Sequence, residues 1–303
     1  MNLNIRKKLM ALLLFPLIFL LLLIFIQLRT LYKDYVQASK VSKLVYVIND
    51  ISNLVHETQV ERGMSSGFLG SGGILYKEEL KLQRTKSDKA YMIFKNRILD
   101  LKLENYNLSL KEESNEVLKE FDELNNIRSK VDTLIVSVPE IVGFYNEIND
   151  KTLRLIEPIS FLAPNSDIFN STKAYLLFLL SKERTGIERG TLNNAFSANK
   201  FNPGMFLIFS SLITEQELFM KEFNYYSSED KINYISSKMK ESSIGEVNKM
   251  RAIAIEKYDI GNFNIDPQYW FNTITKKINI MKEIEDYLIS DLIERVEKQN
   301  KNC

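Results

Sequence analysis

The chain has 303 residues, 45% of them hydrophobic, and its 40 lysines and arginines are balanced by 39 acidic residues. That length buries one large core or two ordinary ones. The even charge supplies neither a basic field nor a basic block with interleaved aromatics, the features a nucleic-acid partner requires. One histidine, His56, and one cysteine, the terminal Cys303, leave no intramolecular disulfide or CxxC metal site and argue against a histidine-built metal centre or catalytic triad. A lone helical histidine reads as a surface or satisfied residue. Only 11 glycines and 6 prolines point to long helices, not to strands and turns.

Leu9–Ile26, LMALLLFPLIFLLLLIFI, is an unbroken apolar run preceded by Arg6, Lys7 and Lys8. It is long enough to cross a bilayer, and the positive flank keeps residues 1–8 in the cytoplasm. Residues 9–28 are therefore expected to form a single transmembrane helix, with residues 31–300 as a domain outside. A cleaved signal peptide is the competing reading, but the run is long for one and the following QLRTLYKDY offers no small-x-small cleavage site. Pro16 can kink such a helix without preventing insertion.

The helical pattern runs from Leu31 to about Phe68 without a break, so the membrane helix is expected to continue straight into the first helix of the domain. Gly67, Gly70, Gly72 and Gly73 stop it. Further helices are expected over Lys77–Leu103, over Ser109–Val138 with Val117, Phe121, Leu124, Val131 and Ile135 on one face, and over Glu140–Ile156 after Pro139. Pro158–Asn170, rich in proline, asparagine and aspartate, marks a boundary between halves. Four more helices follow, at Ser171–Phe196, Met205–Tyr226, Lys231–Tyr258 and Asp266–Gln299. The count and the short connections predict an all-α fold of two four-helix bundles, sequential or interleaved, with one elongated bundle as the alternative.

The unusual stretch is His56–Gly73, HETQVERGMSSGFLGSGG. Ile51, Val55, Thr58, Arg62, Ser65 and Leu69 share one stripe, so a permanent charge occupies a core-facing position. A guanidinium cannot shed its charge, and its burial calls for a carboxylate, carbonyls or a bound anion. The tripeptide Glu61-Arg62-Gly63 recurs as Glu188-Arg189-Gly190 in KERTGIERGTLNNAF, where Phe178, Lys182, Thr185, Arg189, Leu192 and Phe196 share a stripe.

These stretches, with LITEQELFMKEF and DPQYWFNTITKKINIMKEIEDYL around Trp270, resemble the nitrate- and nitrite-sensing (NIT) domain family from about residue 40 to 295. The resemblance implies an all-helical sensor of two four-helix bundles that binds nitrate or nitrite between helices through arginines. It also implies an input module of a bacterial membrane receptor or transcription regulator. Carried over, the ligand-binding candidates are Arg62, Arg184 and Arg189. Arg251 follows an apolar pattern and is a further candidate, and Thr58, Ser65, Thr185 and Asn193 are placed by spacing to complete the donor set.

Nitrate spreads one charge over three planar oxygens, which suits the flat donor fork of arginine. Against this stands ordinary ion pairing: each arginine follows a glutamate, and Glu57, Glu61, Glu183 and Glu188 are available to neutralise them. Trp270 reads as a packing anchor. No Gly-rich phosphate loop, activated nucleophile or metal set appears, so no catalytic residue, metal or cofactor is expected.

The expected protein is a single-pass sensor of the bacterial inner membrane, its sensing domain outside the cytoplasm. Its expected partners are nitrate or nitrite, the bilayer, a second copy of the chain, and a cytoplasmic signalling domain or protein absent from this sequence. The rival readings are a membrane-tethered helical scaffold with internally paired arginines and a sensor of another small anion. Receptors with such an input return through the membrane, and the absence of a second apolar run suggests a fragment of a longer receptor or a separate partner.

Overall fold

The first helix, α1, runs from Ile5 to Gly70 without interruption. The computed structural model describes residues 5–302, so the start of the expected cytoplasmic segment and Cys303 lie outside the described residues. Within α1, the 22-residue span Leu12–Lys33 is apolar on average (mean hydropathy 2.6) and long enough to cross a bilayer, and none of it is buried in the protein. From Val41 onward the same helix becomes a core element, with Leu44, Ile48, Ile51 and Leu54 almost wholly buried. At about 1.5 Å per residue, the rod is roughly 100 Å long. It stops where the glycines predict: Gly72 and Gly73 take left-handed backbone angles (φ +65° and +87°) that other residues resist.

The remaining helices are α2 (Lys77–Asp100), α3 (Leu108–Asp122), α4 (Leu124–Asp132), α5 (Val138–Arg154), α6 (Ile156–Ser160), α7 (Ser166–Ala198), α8 (Met205–Tyr226), α9 (Glu229–Lys238), α10 (Ser242–Glu256) and α11 (Pro267–Asn302). No strand occurs among the described residues. α1, α2, the α3–α4 pair and α5 form one four-helix bundle; α7, α8, the α9–α10 pair and α11 form the second. α1, α5, α7 and α11 pack together along the seam between them.

Several boundaries differ from the expected ones. The third helix of each bundle is two helices, not one. The expected Ser109–Val138 breaks at Glu123 and ends at Asp132, where Leu134 turns left-handed and Ile135 stands 74% exposed, off the apolar face assigned to it. The expected Lys231–Tyr258 breaks at the short turn Met239–Glu241. α7 starts five residues early because Asn165, inside the proline-rich boundary, caps it by accepting from the Ile168 amide at 2.9 Å.

A continuous apolar core spans both bundles, from Leu44, Phe94 and Tyr145 to Phe178 and Ile284. A second cluster closes the far end of the second bundle around Phe196, Phe209, Val247 and Trp270. α11 returns toward the end from which the apolar part of α1 emerges: the Tyr46 hydroxyl donates to Glu297 at 2.8 Å.

Candidate functional site

Each Glu-Arg-Gly turn begins with a fully buried carboxylate. Glu61 accepts from Arg128 on α4 through Nε (2.7 Å) and Nη2 (2.9 Å), and from the Tyr145 hydroxyl at 2.7 Å. Glu188 is matched by Arg251 on α10, through Nε (2.6 Å) and Nη2, and accepts from Gln216 Nε2 at 2.9 Å. These are bidentate pairs, the strongest geometry arginine offers a carboxylate. Burial opposes the charge of Arg128, but Glu61 and Asp88 outweigh it and hold its pKa above the usual value. Burial, with Glu61 beside it, pushes the Tyr145 phenol well up, so it stays a donor.

Neither motif glutamate, then, neutralises the arginine that follows it. Both arginines turn to the α1–α7 seam. The two helices run parallel there, since Gln59, Arg62 and Gly63 meet Glu183, Gly186 and Arg189 in order. A methyl group at Gly186 would lie 2.9 Å from Arg62 Nη2, and one at Gly63 would lie 3.3 Å from Arg189 Nη2. Each guanidinium thus rests over a glycine of the opposite helix, and the missing side chains are what let the two cations share the seam.

Their partners are unequal. Arg62 is buried; it donates to Glu183 and, at 2.6 Å, to Asn146 on α5. Glu183, fully buried, also accepts from Gln59. Arg189 is half-buried, donates to the Thr275 hydroxyl at 3.1 Å, and lies 4.8 Å from the Phe271 ring centre. No carboxylate among the described residues forms an ion pair with it. Burial, then the nearby charge of Arg62, lowers its pKa to about 10, with Tyr76 and Glu183 opposing. It remains charged at neutral pH. Tyr76, itself left-handed (φ +61°), lays its ring over Gly67 at the edge of the seam.

The other candidates lie elsewhere. Arg184 faces α5 and α8, held by Asp150 at 3.1 Å and by Glu215, and these bonds keep its pKa up although burial opposes. Arg251 belongs to the Glu188 clamp. Thr58 Oγ1 lies 2.6 Å from Asn149 Oδ1 and Thr185 Oγ1 lies 2.9 Å from Gln216 Oε1, each also bonded to the carbonyl four residues back. Ser65 is fully buried, and Asn193 is half-buried one turn beyond Arg189. Trp270 is a buried anchor whose indole donates to the Arg189 carbonyl at 3.0 Å.

His56, expected at the surface or satisfied, is half-buried with no partner for Nδ1 among the described residues. Burial and Lys182 drop its pKa to about 4. Asn146, Thr275, Phe271 and Tyr76 give no sequence signal, because they reach the seam from other helices or a loop. Glu183 was legible as a carboxylate available to the arginines, and Gln59 was not.

The fold and the seam define an all-helical double bundle with two arginines from different helices gathered between α1 and α7. The chain is a member of the nitrate and nitrite sensing (NIT) family, whose profile matches residues 53–293. Among solved structures it resembles the NasR transcription antiterminator, with a TM-score of 0.81 and 20% identity over 92% of this chain and 74% of that one. At that identity the likeness establishes a shared fold. No curated protein sequence matches the chain.

Proposed function

We propose that the chain is a membrane-anchored sensor that binds nitrate or nitrite at the α1–α7 seam. The observation that carries this reading is Arg189: a charged, half-buried guanidinium beside Arg62, without a carboxylate of its own. A buried charge without a counter-ion is costly, and a small anion would relieve it. Arg62 and Arg189 are the ligand contacts in this reading, with Thr275 and Asn193 at hand; Arg184 and Arg251 position the helices that carry them. The protein is thus a binding module, not an enzyme.

In this reading Leu12–Lys33 anchors the chain in the bacterial inner membrane and the bundles lie outside the cytoplasm. An anion drawing α1 and α7 together biases their packing, and the unbroken helix carries that bias to the bilayer. The ligand must favour one arrangement of the seam; affinity alone shifts nothing. The output is a cytoplasmic domain or partner, and the working unit is a homodimer, which light scattering of the detergent-solubilised chain tests.

The rival scaffold reading draws support from the pairing of Arg62, Arg184 and Arg251 with carboxylates. Calorimetry of the full chain in detergent separates the two. Heat with nitrate or nitrite but not chloride, lost in Arg189→Ala, is the expected result; no heat with either oxyanion leaves the scaffold. A thermal-shift panel including formate and acetate tests for another small anion.

A further inference from the structure

The seam holds two guanidiniums and one carboxylate. Glu183 is fully buried, with one oxygen on Arg62 and the other shared by Gln59 and Arg62, so it is built into the site. The sum of Arg62, Arg189 and Glu183 is a single positive charge. Accepting the reading of the seam as an oxyanion site, the arithmetic for a guest follows. A monoanion leaves the site neutral. A dianion leaves a buried net negative charge and places its second charge close to Glu183, in surroundings that screen poorly.

The two repeats share a register but not this charge. Both read Thr-x-x-Glu-Arg-Gly, at Thr58–Gly63 and Thr185–Gly190. In that register, the residue two before each threonine is Glu183 in the second copy and His56 in the first. His56 titrates at about 4 and is neutral at pH 7, so one copy supplies a carboxylate at this position and the other supplies none.

We propose that Glu183 is the specificity-determining residue of the seam: a fixed internal carboxylate that sets the receptor charge at plus one, admitting singly charged oxyanions and rejecting dianions of similar size. Sulfate is the informative probe, because it offers Arg189 the same oxygen chemistry as nitrate with twice the charge.

The test is titration of the full detergent-solubilised chain with sodium nitrate, sodium nitrite and sodium sulfate at constant ionic strength. The wild type is expected to bind nitrate or nitrite and to discriminate against sulfate. Glu183→Gln, which keeps an acceptor for Arg62 but removes the charge, is expected to reduce the nitrate-over-sulfate preference by about 10-fold or more. Gln59→Lys makes the same change in net charge while leaving Glu183 in place, and should also admit sulfate; it decides the matter if the first variant does not fold. Glu183→Asp should keep the discrimination.

Wild-type binding of sulfate as tightly as nitrate overturns the proposal. So does unchanged exclusion of sulfate in both charge variants, and in that case the nitrate reading stands. A wild type that binds none of the three anions removes the nitrate reading and this proposal together.

Discussion

The two Glu-Arg-Gly turns, one on α1 and one on α7, treat their acids alike and their bases differently. Glu61 and Glu188 are both wholly buried and both gripped at two oxygens by an arginine from the broken third helix of their own bundle, Arg128 or Arg251. Arg62 is closed off by Glu183, whereas Arg189 rests on a hydroxyl and an aromatic face. The repeated part is therefore architecture, fastening a third helix to the seam helix. The unequal part leaves Arg189 at the seam without a carboxylate of its own, and that is the opening the proposed anion site uses.

Breaking the repeated part should have the largest effect. Glu188→Ala leaves Arg251 without a carboxylate and should cost about 3–5 kcal/mol in urea unfolding, whereas Glu61→Ala leaves Arg128 its bond to Asp88 and should cost less, about 2–3 kcal/mol. Equal losses would show that Asp88 lends Arg128 nothing once Glu61 is gone. A loss near zero for either would mean that the corresponding third helix is held by its apolar face alone.

The unequal part gives a sharper contrast, because the two arginine truncations should move stability in opposite directions while both remove nitrate binding. Arg62→Ala leaves Glu183 buried without its cation and should destabilise by about 3 kcal/mol. Arg189→Ala removes a charge that burial already disfavours, at the loss of a cation–π contact, and should raise stability by about 1 kcal/mol. Paired thermal melts without ligand test the signs; destabilisation by Arg189→Ala would show that the guanidinium is already compensated.

How much of this was legible in the residues follows the same division. Local rules carried the long first helix, its glycine stop, the eight-helix plan and the arginines at core-facing positions, since each depends on spacing along one helix. The breaks at Glu123 and Met239 were missed because apolar periodicity runs across them, and the cap at Asn165 because the prolines, asparagines and aspartate around it read as one loop. The pairing of Glu61 with Arg128, and of Arg62 with Glu183, joins residues far apart in sequence; adjacency suggested instead that each glutamate serves the arginine beside it. Periodicity places a charge on a face, and only the packing of four helices decides which counter-charge meets it.

Lys277 extends the comparison into the second bundle: each clamp has a second cation nearby, but Arg84 beside Glu61 has Asp132 as a partner, whereas Lys277 beside the Glu188 clamp has no carboxylate in ion-pair range among the described residues. Its ammonium is buried, 3.3 Å from Gln216 Oε1, and burial together with Arg251 lowers its pKa from 10.5 to about 8. The folded protein sheds this proton more easily than the unfolded chain. The penalty is therefore full below pH 8 and fades as pH rises through 8 toward 10.5. Lys277→Met should raise stability by about 2 kcal/mol at pH 7, with the gain shrinking by pH 9.5. A gain that does not change with pH would place its origin in apolar packing.

The smallest effect concerns His56, the first-repeat counterpart of Glu183. Lys182, Lys282, Glu57 and Glu285 surround it, and Glu285 is held ionised by the two lysines although burial opposes. With a folded pKa of about 4 against 6.5 for the free ring, the unfolded chain takes up the proton first as pH falls, so stability drops between pH 6.5 and 4. His56→Gln cannot take up that proton and should escape about 1 kcal/mol of the loss between pH 7 and 5, a figure reduced for a half-buried ring. His56→Glu instead restores at this position the carboxylate present in the second repeat. If the single carboxylate is what leaves Arg189 open, this variant should fold with weaker nitrate binding, whereas His56→Gln should bind nitrate as the wild type does. Equal nitrate affinity in the two variants would locate the asymmetry of the seam in Thr275 and Phe271, the groups that hold Arg189 from α11.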